Sequence, residues 1–360
     1  MKRILVTSAG GAPAVNFTRS LRKAPEPFYL IGVDANKYYL DRAEVNEKYL
    51  IPKASDPMYI PIVQGIINET HPDLLHVQHS REVPVISRYR GELGVKTFLP
   101  ESRSVEICDN KVESFKCWKA AGLKVPETLL LESENDVDIA FQRFGQKIWL
   151  RAITGSGGSG AAPTTDPEWA KFWVTVHNGW GKFSASQCLT SISVIWQSIW
   201  KEGELVVAQG RKRLFWEFGE KFLSGVSGVT GGGSLISDPV VDKIAQETIL
   251  AIDKRPNGIW GVDLTYDDSG IPNPTEINVG RFFTTHQFFT EAGLNMPYIY
   301  VKLALGEEPP RISQRLNPLT AGLVWIRGVD FIPKLTTLEQ IEDYEEGLRR
   351  RLKKLGHLKQ

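Results

Sequence analysis

Two hydrophobic periods alternate along this chain. Ile4-Leu5-Val6-Thr7 is a short apolar run that predicts a strand over residues 3–7, and Ser8-Ala9-Gly10-Gly11-Ala12-Pro13 breaks it. A helical pattern through Val15, Phe17 and Leu21 follows, and then a second strand, Tyr29 to Val33, ending in Asp34. Tyr59 to Ile67 has the spacing of an amphipathic helix, and Leu74 to Val77 that of a strand ending near His79-Ser80-Arg81-Glu82. Strand, glycine turn, helix, strand is how an α/β nucleotide-type unit opens, and its ligands sit in the loops after the strands. His79 and Glu82 are candidates on that ground, with ordinary surface polarity as the alternative. The unit is expected to end near Glu101.

Asp109 has the chemistry of an N-cap for a helix through Phe115 and Trp118, stopped by Gly122 and Pro126. Lys111 falls in its first turn, where the helix dipole disfavours a cation, so a ligand there is a reason for it. Ile148-Trp149-Leu150-Arg151 reads as a strand, and Ala152 to Gly160 is the most glycine-dense loop of the chain. Its backbone N–H groups and serines can close over phosphates, although no Gly-Lys-Ser/Thr follows as in a P-loop. Ser191 to Trp200 alternates as a strand, Lys201-Glu202-Gly203-Glu204 turns, and Leu205 to Ala208 returns toward Arg211-Lys212-Arg213, a solvated face or a phosphate clamp. Val240 to Ile252 and residues 291–305 read as helices. Near the end, Thr337 and Gln340 form a capping box, and Leu338, Ile341, Leu348, Leu352 and Leu355 form one apolar face. Acidic residues fill the first half of that helix and Arg349, Arg350, Arg351, Lys353 and Lys354 the second, which suits the helix dipole and needs no nucleic acid to explain it.

The richest chemistry lies in Gly261-Val262-Asp263-Leu264-Thr265-Tyr266-Asp267 and Thr275-Glu276-Ile277-Asn278-Val279-Gly280-Arg281. Alternation puts Asp263, Thr265 and Asp267 on one strand face, and Glu276 and Asn278 on one face of the next. A hairpin turning at Asp268-Ser269-Gly270 sets Asp263 opposite Glu276, about 5 Å apart. Two carboxylates and an amide oxygen on one face repel unless a hard cation joins them, and Mg²⁺ takes one or two carboxylates plus substrate phosphates. Arg281 is placed to meet a phosphate or a substrate carboxylate. The competing reading is a solvated hairpin face.

Composition then narrows the class. With 360 residues, two or three domains are expected, and 42% hydrophobic with 24% charged residues is ordinary for a globular protein. A net charge of +1 offers no attraction to nucleic acid or membranes. The three cysteines, Cys108, Cys117 and Cys188, lack metal-ligand spacing and fit a reducing compartment. The first apolar run is too short for a signal sequence, and no run reaches the roughly 20 residues of a membrane span, so a cytoplasmic protein is expected.

Taken in order, the α/β unit, Asn110-Lys111 opening a helix, Arg151 before a glycine-serine loop, Asp263, Glu276-x-Asn278 and Arg281 resemble the ATP-grasp superfamily. The N-terminal unit is similar to members like the carbamoyl phosphate synthetase large subunit. The resemblance covers most of residues 1 to about 306. It implies an α/β and α+β fold: a Rossmann-like pre-ATP-grasp domain (1–105), an ATP-grasp N-terminal subdomain with a glycine-rich lid (106–186), a C-terminal subdomain with the metal site (187–310) and a C-terminal extension (311–360). It further implies ATP and Mg²⁺, with Mn²⁺ as the alternative ion, held at Asp263, Glu276 and Asn278. ATP would meet Lys111, Arg151, Ser156, Gly157, Gly158 and Arg213, with adenine at Gln187, Cys188 and Leu189. Catalytic roles fall to Arg281 and Arg151, and substrate contacts to Ser8, Gly10, Gly11, Glu82 and Arg281.

The sequence departs from the family at two places. Arg151 stands where a second lysine is usual, and Gln187 through Trp200 holds no Asp or Glu for the ribose. The implied activity is an ATP-dependent carboxylate–amine ligase acting through an acyl phosphate on small acids, with neither nucleic acid nor membrane as partner. Dimers are frequent in the family. Two other readings stand beside it: an NAD-dependent oxidoreductase built on Ser8 to Asp34, and a non-catalytic nucleotide-binding protein.

Overall fold

The computed structural model describes all residues except 156, 157, 159, 226–228, 329–335 and 358–360. Its architecture is mixed α/β, with three sheets. The first contains β1 (Lys2–Val6), β2 (Phe28–Asp34), β3 (Glu47–Leu50) and β4 (Leu74–His76), all parallel, in the order β3-β2-β1-β4. β1, β2 and β4 are largely apolar runs, as strands covered on both faces require, whereas the edge strand β3, Glu47-Lys48-Tyr49-Leu50, is not. The second sheet has β5 (Thr128–Leu131), β6 (Ile148–Ala152), β7 (Ala162–Thr164) and β8 (Phe183–Gln187), antiparallel, in the order β5-β8-β6-β7. It packs its own small core, with Leu150, Val137, Val174 and Phe183 at the centre.

The third sheet is the largest: β9 (Ser193–Lys201), β10 (Glu204–Glu217), β11 (Val229–Ile236), β12 (Gly258–Tyr266), β13 (Pro272–Val279) and β14 (Val324–Ile326), in the order β13-β12-β9-β10-β11-β14. Every pairing is antiparallel. Glu202 and Gly203 both have positive φ, +53° and +91°, the tight turn that the strand twist favours between β9 and β10. Between β12 and β13, Asp267 accepts from the backbone N–H of Ser269 (2.9 Å) and Ile271 (3.0 Å), which fixes the turn. The register therefore places Asp263 opposite Glu276, with a bulge immediately beyond Asp263. Pro272 and Pro274 are tolerated because β13 is an edge strand.

One face of the third sheet covers the helix Pro239–Ile252 through Trp196, Val262 and Val241. The other packs Ile199, Val207 and Ile259 against Phe282, the helix Met296–Leu305 and apolar residues of the first sheet, among them Ile4 and Leu30. The first and third sheets thus share cores, whereas the second has its own.

Four local expectations need correction. Asn110, not Asp109, caps the helix Lys111–Ala120; its side chain accepts from the N–H of Val112 and Glu113, and Asp109 ends the preceding helix Ser102–Asp109. Residues 291–305 are not one helix: Gln287–Glu291 stops, Gly293 turns at φ +107°, and Asn295 caps Met296–Leu305. The last helix, Leu338–Lys354, has Thr337 accepting from the Gln340 N–H, but Leu338 and Leu355 are exposed, 74% and 45%. Only Ile341, Leu348 and Leu352 of that predicted face turn inward. The strand predicted at 191–200 begins at Ser193.

Candidate functional site

Side chains from the second sheet, the third sheet and the helix Lys111–Ala120 converge at the β12–β13 hairpin. Asp263 projects from β12 and is half-buried; Asn278 Nδ2 donates to its Oδ2 at 2.8 Å, and Arg281 in turn donates to Asn278 Oδ1. Arg213, on β10, reaches the same carboxylate at 3.4 Å, donates to Ser193 Oγ (2.7 Å) and Thr230 Oγ1 (3.1 Å), and lies 3.7 Å over the Trp216 ring. From the second sheet, Arg151 at the end of β6 donates to the carbonyl of Thr275 at 3.0 Å. Lys111, almost wholly buried in the first turn of its helix, donates its backbone N–H to Ile153 O (2.8 Å) and its ammonium to Gly155 O (2.7 Å). Lys111, Glu276, Asn278, Arg281 and Gly155 line one cleft with Asp109 and Ser80.

Charge organises this cleft. Burial pulls the cations of Lys111, Arg151, Arg213 and Arg281 down from their ordinary pKa values, and the carboxylate of Glu276 acts in the opposite sense on all four. Burial pushes Asp263 up, Arg213 holds it down, and Glu276 adds to the upward push. Glu276 itself makes no hydrogen bond among the described residues, so its oxygens stay available at the centre of four cations. With Asp263 and Asn278 it offers an all-oxygen donor set of the kind a hard divalent cation takes. Among the described residues no group of three His, Cys, Asp or Glu side chains could hold a metal, so the amide of Asn278 is needed to complete the trio.

The first-sheet residues form a second cluster. Thr7 and Ser8 hydroxyls donate to Glu82 Oε2 at 2.6 and 2.9 Å, and burial raises Glu82 to about pH 7. Ser8 sits at φ +48°, an uncommon conformation for a residue with a side chain. Gly10 donates its N–H to Asp34 Oδ2 at 3.1 Å, and a Cβ on it would stand 1.7 Å from the carbonyl oxygen of Tyr39. Gly11 N–H donates to Ser8 O. The other Asp34 oxygen accepts from Asn36 N–H at 2.9 Å, so this carboxylate is committed to its own loop rather than offered to a ribose.

Ser156 and Gly157 lie outside the described residues; Gly158 is a left-handed turn at φ +67° whose carbonyl accepts from Ala161. Gln187 is exposed and accepts from Glu127 N–H at 2.9 Å, while Cys188 and Leu189 are half-buried where β8 hands the chain to β9. Two further residues belong here: Arg211, expected only as part of a basic triplet on a solvated face or in a phosphate clamp, and Gln197, which the sequence does not single out. Arg211 is buried, 1% exposed, and its Nη1 has no hydrogen-bond partner among the described residues; burial and the nearby Arg213 pull it down to about 9. Gln197 is wholly buried with neither end of its amide bonded. Period-two alternation places Arg211 on the face of Arg213, and Gln197 between Ile195 and Ile199 on a face of β9 that ends in Ser193 and Lys201.

No family model matches the chain, and no curated protein matches it. Solved structures do. The biotin carboxylase domain dimer of Hydrogenobacter thermophilus 2-oxoglutarate carboxylase, a complex with MgADP, ADP and bicarbonate, is similar over 90% of this chain and 73% of its own, with a TM-score of 0.68 at 14% identity. L-amino acid ligase from Bacillus licheniformis is similar over 86% of this chain and 75% of its own (TM-score 0.64, 12% identity). N5-carboxyaminoimidazole synthetase from Staphylococcus aureus, complexed with ADP, is similar over 86% and 79% (TM-score 0.66, 13% identity). All are ATP-grasp enzymes, and this chain has the ATP-grasp fold. Among the described residues no helix is long and apolar enough to cross a membrane.

Proposed function

We propose that this protein is an ATP-dependent ligase that joins a small carboxylic acid to an amine through an acyl phosphate. One observation carries the reading: Lys111, Arg151, Arg213 and Arg281, from four separate segments of the chain, converge on Glu276, Asp263 and Asn278 at the β12–β13 hairpin. Such a surplus of fixed, part-dehydrated cations suits a polyphosphate and the charge that develops as its terminal phosphoryl moves.

In this mechanism Lys111 and Arg151 hold the ATP phosphates, and Arg281 steadies the acid so that a carboxylate oxygen faces the γ-phosphorus in line with the departing ADP oxygen. The P–O bond to ADP breaks as the acyl phosphate forms. An amine then attacks the acyl carbon, phosphate leaves, and the amine proton passes to a base. Asp263, Glu276 and Asn278 would hold Mg²⁺, with Mn²⁺ as the alternative, which supplies further charge neutralisation when bound. Nucleotide in similar structures, MgADP in one and ADP in another, supports the same assignment.

Ser156, Gly157 and Gly158 would close over the phosphates, and Gln187, Cys188 and Leu189 would meet the adenine. The separate core of the second sheet suits a part that moves as a unit and excludes water from the acyl phosphate. The loops of Ser8, Gly10, Gly11 and Glu82 are assigned to the substrate side. The proposed division is a Rossmann-like domain over 1–105, grasp subdomains over 106–186 and 187–310, and an extension over 311–360. A homodimer follows the habit of the family.

The test is ADP release from Mg·ATP with a panel of amino acids and small carboxylic acids, comparing wild type with Glu276→Ala. Acid-dependent turnover lost in the variant supports the ligase; ATP that binds without turnover under any acid and amine supports a non-catalytic nucleotide-binding protein. Failure to bind Mg·ATP overturns the reading.

A further inference from the structure

We infer that Gln197 and Arg211 form the floor of a second subsite, which takes an anionic group at the far end of the acid substrate. This inference rests on the ligase reading and deepens it.

The strand register puts the parts together. Glu276 lies opposite Asp263, Asp263 opposite Ile195, and Ile195 opposite Arg211, so these four residues form one row across β13, β12, β9 and β10. Residues directly opposite in antiparallel strands point to the same face. The next row on that face runs Asn278, Gly261, Gln197 and Gln209. Gln197 and Arg211 are therefore on the face of the acid trio, one row apart.

Neither residue is explained by the fold. Both Gln197 amide atoms and Arg211 Nη1 are buried with no hydrogen-bond partner among the described residues, whereas Gln209, opposite Gln197, is bonded to the carbonyls of Gly210 and Ile236 and to the Leu319 N–H. Buried polar side chains are bonded in the great majority of proteins, and a cluster of exceptions calls for a specific cause. The charges acting on Arg211 are two of its own sign, Arg213 and Arg327, and one opposite, Asp263. An anion is what this corner lacks. A carboxylate accepts from Arg211 Nη1 and from Gln197 Nε2 together, and leaves Gln197 Oε1 for a donor such as an adjacent ammonium.

Glycine makes the approach. Phe283 lies directly on Gly261, where a Cβ would come within 2.4 Å of the ring, and Arg211 lies along Gly233, where a Cβ would come within 2.8 Å of Cδ. Gly261 is the row partner of both Asn278 and Gln197. Swinging the Phe283 ring off Gly261 joins the cleft at Asn278 to the Gln197 amide. The acid substrate then spans the two: its reacting carboxylate at Arg281 and its second anionic group at Arg211 and Gln197. The substrate class is a small dicarboxylic acid or an acidic amino acid, not a simple monocarboxylate.

The experiment titrates wild-type protein, loaded with MgADP, with propanoate, butanoate, succinate, glutarate and glutamate by calorimetry, and repeats it with Gln197→Leu and Arg211→Lys. A site built to hydrogen-bond a substrate group rejects an analogue lacking it strongly, so the dianions and glutamate bind wild type about 100-fold or more tighter than monocarboxylates of equal length. The variants bring the two sets within a few-fold, with MgADP affinity unchanged. Equal binding of both sets by wild type overturns the subsite without reference to any variant, as does a preference that survives both substitutions. If MgADP and Mg·ATP do not bind at all, it is the ligase reading that falls.

Discussion

Two buried polar clusters of this molecule differ in one respect. Around Glu82 in the first sheet, the buried carboxylates find donors: Thr7 and Ser8 donate to Glu82, and Gly10 and Asn36 to Asp34, although the neighbouring Tyr59 hydroxyl has no partner among the described residues. Around Glu276 in the third sheet the unmet groups are more numerous and include cations: both ends of the Gln197 amide, Arg211 Nη1 and Arg151 Nε lack hydrogen-bond partners among the described residues. Each unmet buried group costs about 1–3 kcal/mol relative to a satisfied one. The first cluster therefore defines a shape, and the second holds unspent interaction that a charged ligand recovers.

That contrast can be broken most severely at Glu276. Glu276→Ala leaves four cations facing one another with Asp263 alone, and acid-dependent ADP release should fall by about 10³-fold or more, measured at saturating Mg·ATP. Next comes a pH effect in the satisfied cluster. Glu82 is raised to about 7 by burial, so between its unfolded value near 4.5 and pH 7 the folded chain holds a proton that the unfolded chain releases. Stability from Glu82 is thus full at low pH and lost as pH rises through 7, by on the order of 3 kcal/mol. Glu82→Gln should remove that slope, which chemical denaturation of both proteins at pH 5 and pH 8 would reveal; parallel pH profiles would refute it.

In the unsatisfied cluster, Gln197→Leu should stabilise the ligand-free protein, by about 1–3 kcal/mol in the same denaturation assay, because it removes two unmet groups at nearly constant volume. Thr7→Val, the matching change in the satisfied cluster, should destabilise. The smallest effect lies outside both clusters: Asn110→Ala removes the cap that positions Lys111 and should cost about 1 kcal/mol, with KM for ATP rising a few-fold.

The hairpin was legible because its determinants are local. Asp267 bonds within its own turn, alternation does the rest, and Asp263 falls opposite Glu276. The mixed α/β character followed from the same alternation between two periods. The cap of the Lys111 helix was not legible to the residue, since Asp109 and Asn110 are both good caps, and the preceding helix running to Asp109 decides between them. Leu338 and Leu355 repeat with Ile341, Leu348 and Leu352, but the surface that the helix meets is only as long as the middle of that stripe. Gln197 could not be singled out, because an amide in a strand announces nothing until its neighbours are shown to leave it unbonded. Arg211 had the right spacing but shared a basic triplet with an exposed lysine.

The last helix returns to the first sheet: Tyr344 donates to Asp41, Lys37 pairs with Glu345, Arg351 pairs with Glu69, and Leu348 and Leu352 join the core that contains Ile31 and Ile62. During synthesis, residues 338–354 emerge some 300 residues after β1 and β2. The edge of the first sheet at β3 must therefore wait, uncovered, while almost the whole remainder is made. A chain halted before that helix leaves the ribosome with an apolar flank open, a natural point for a chaperone to hold it.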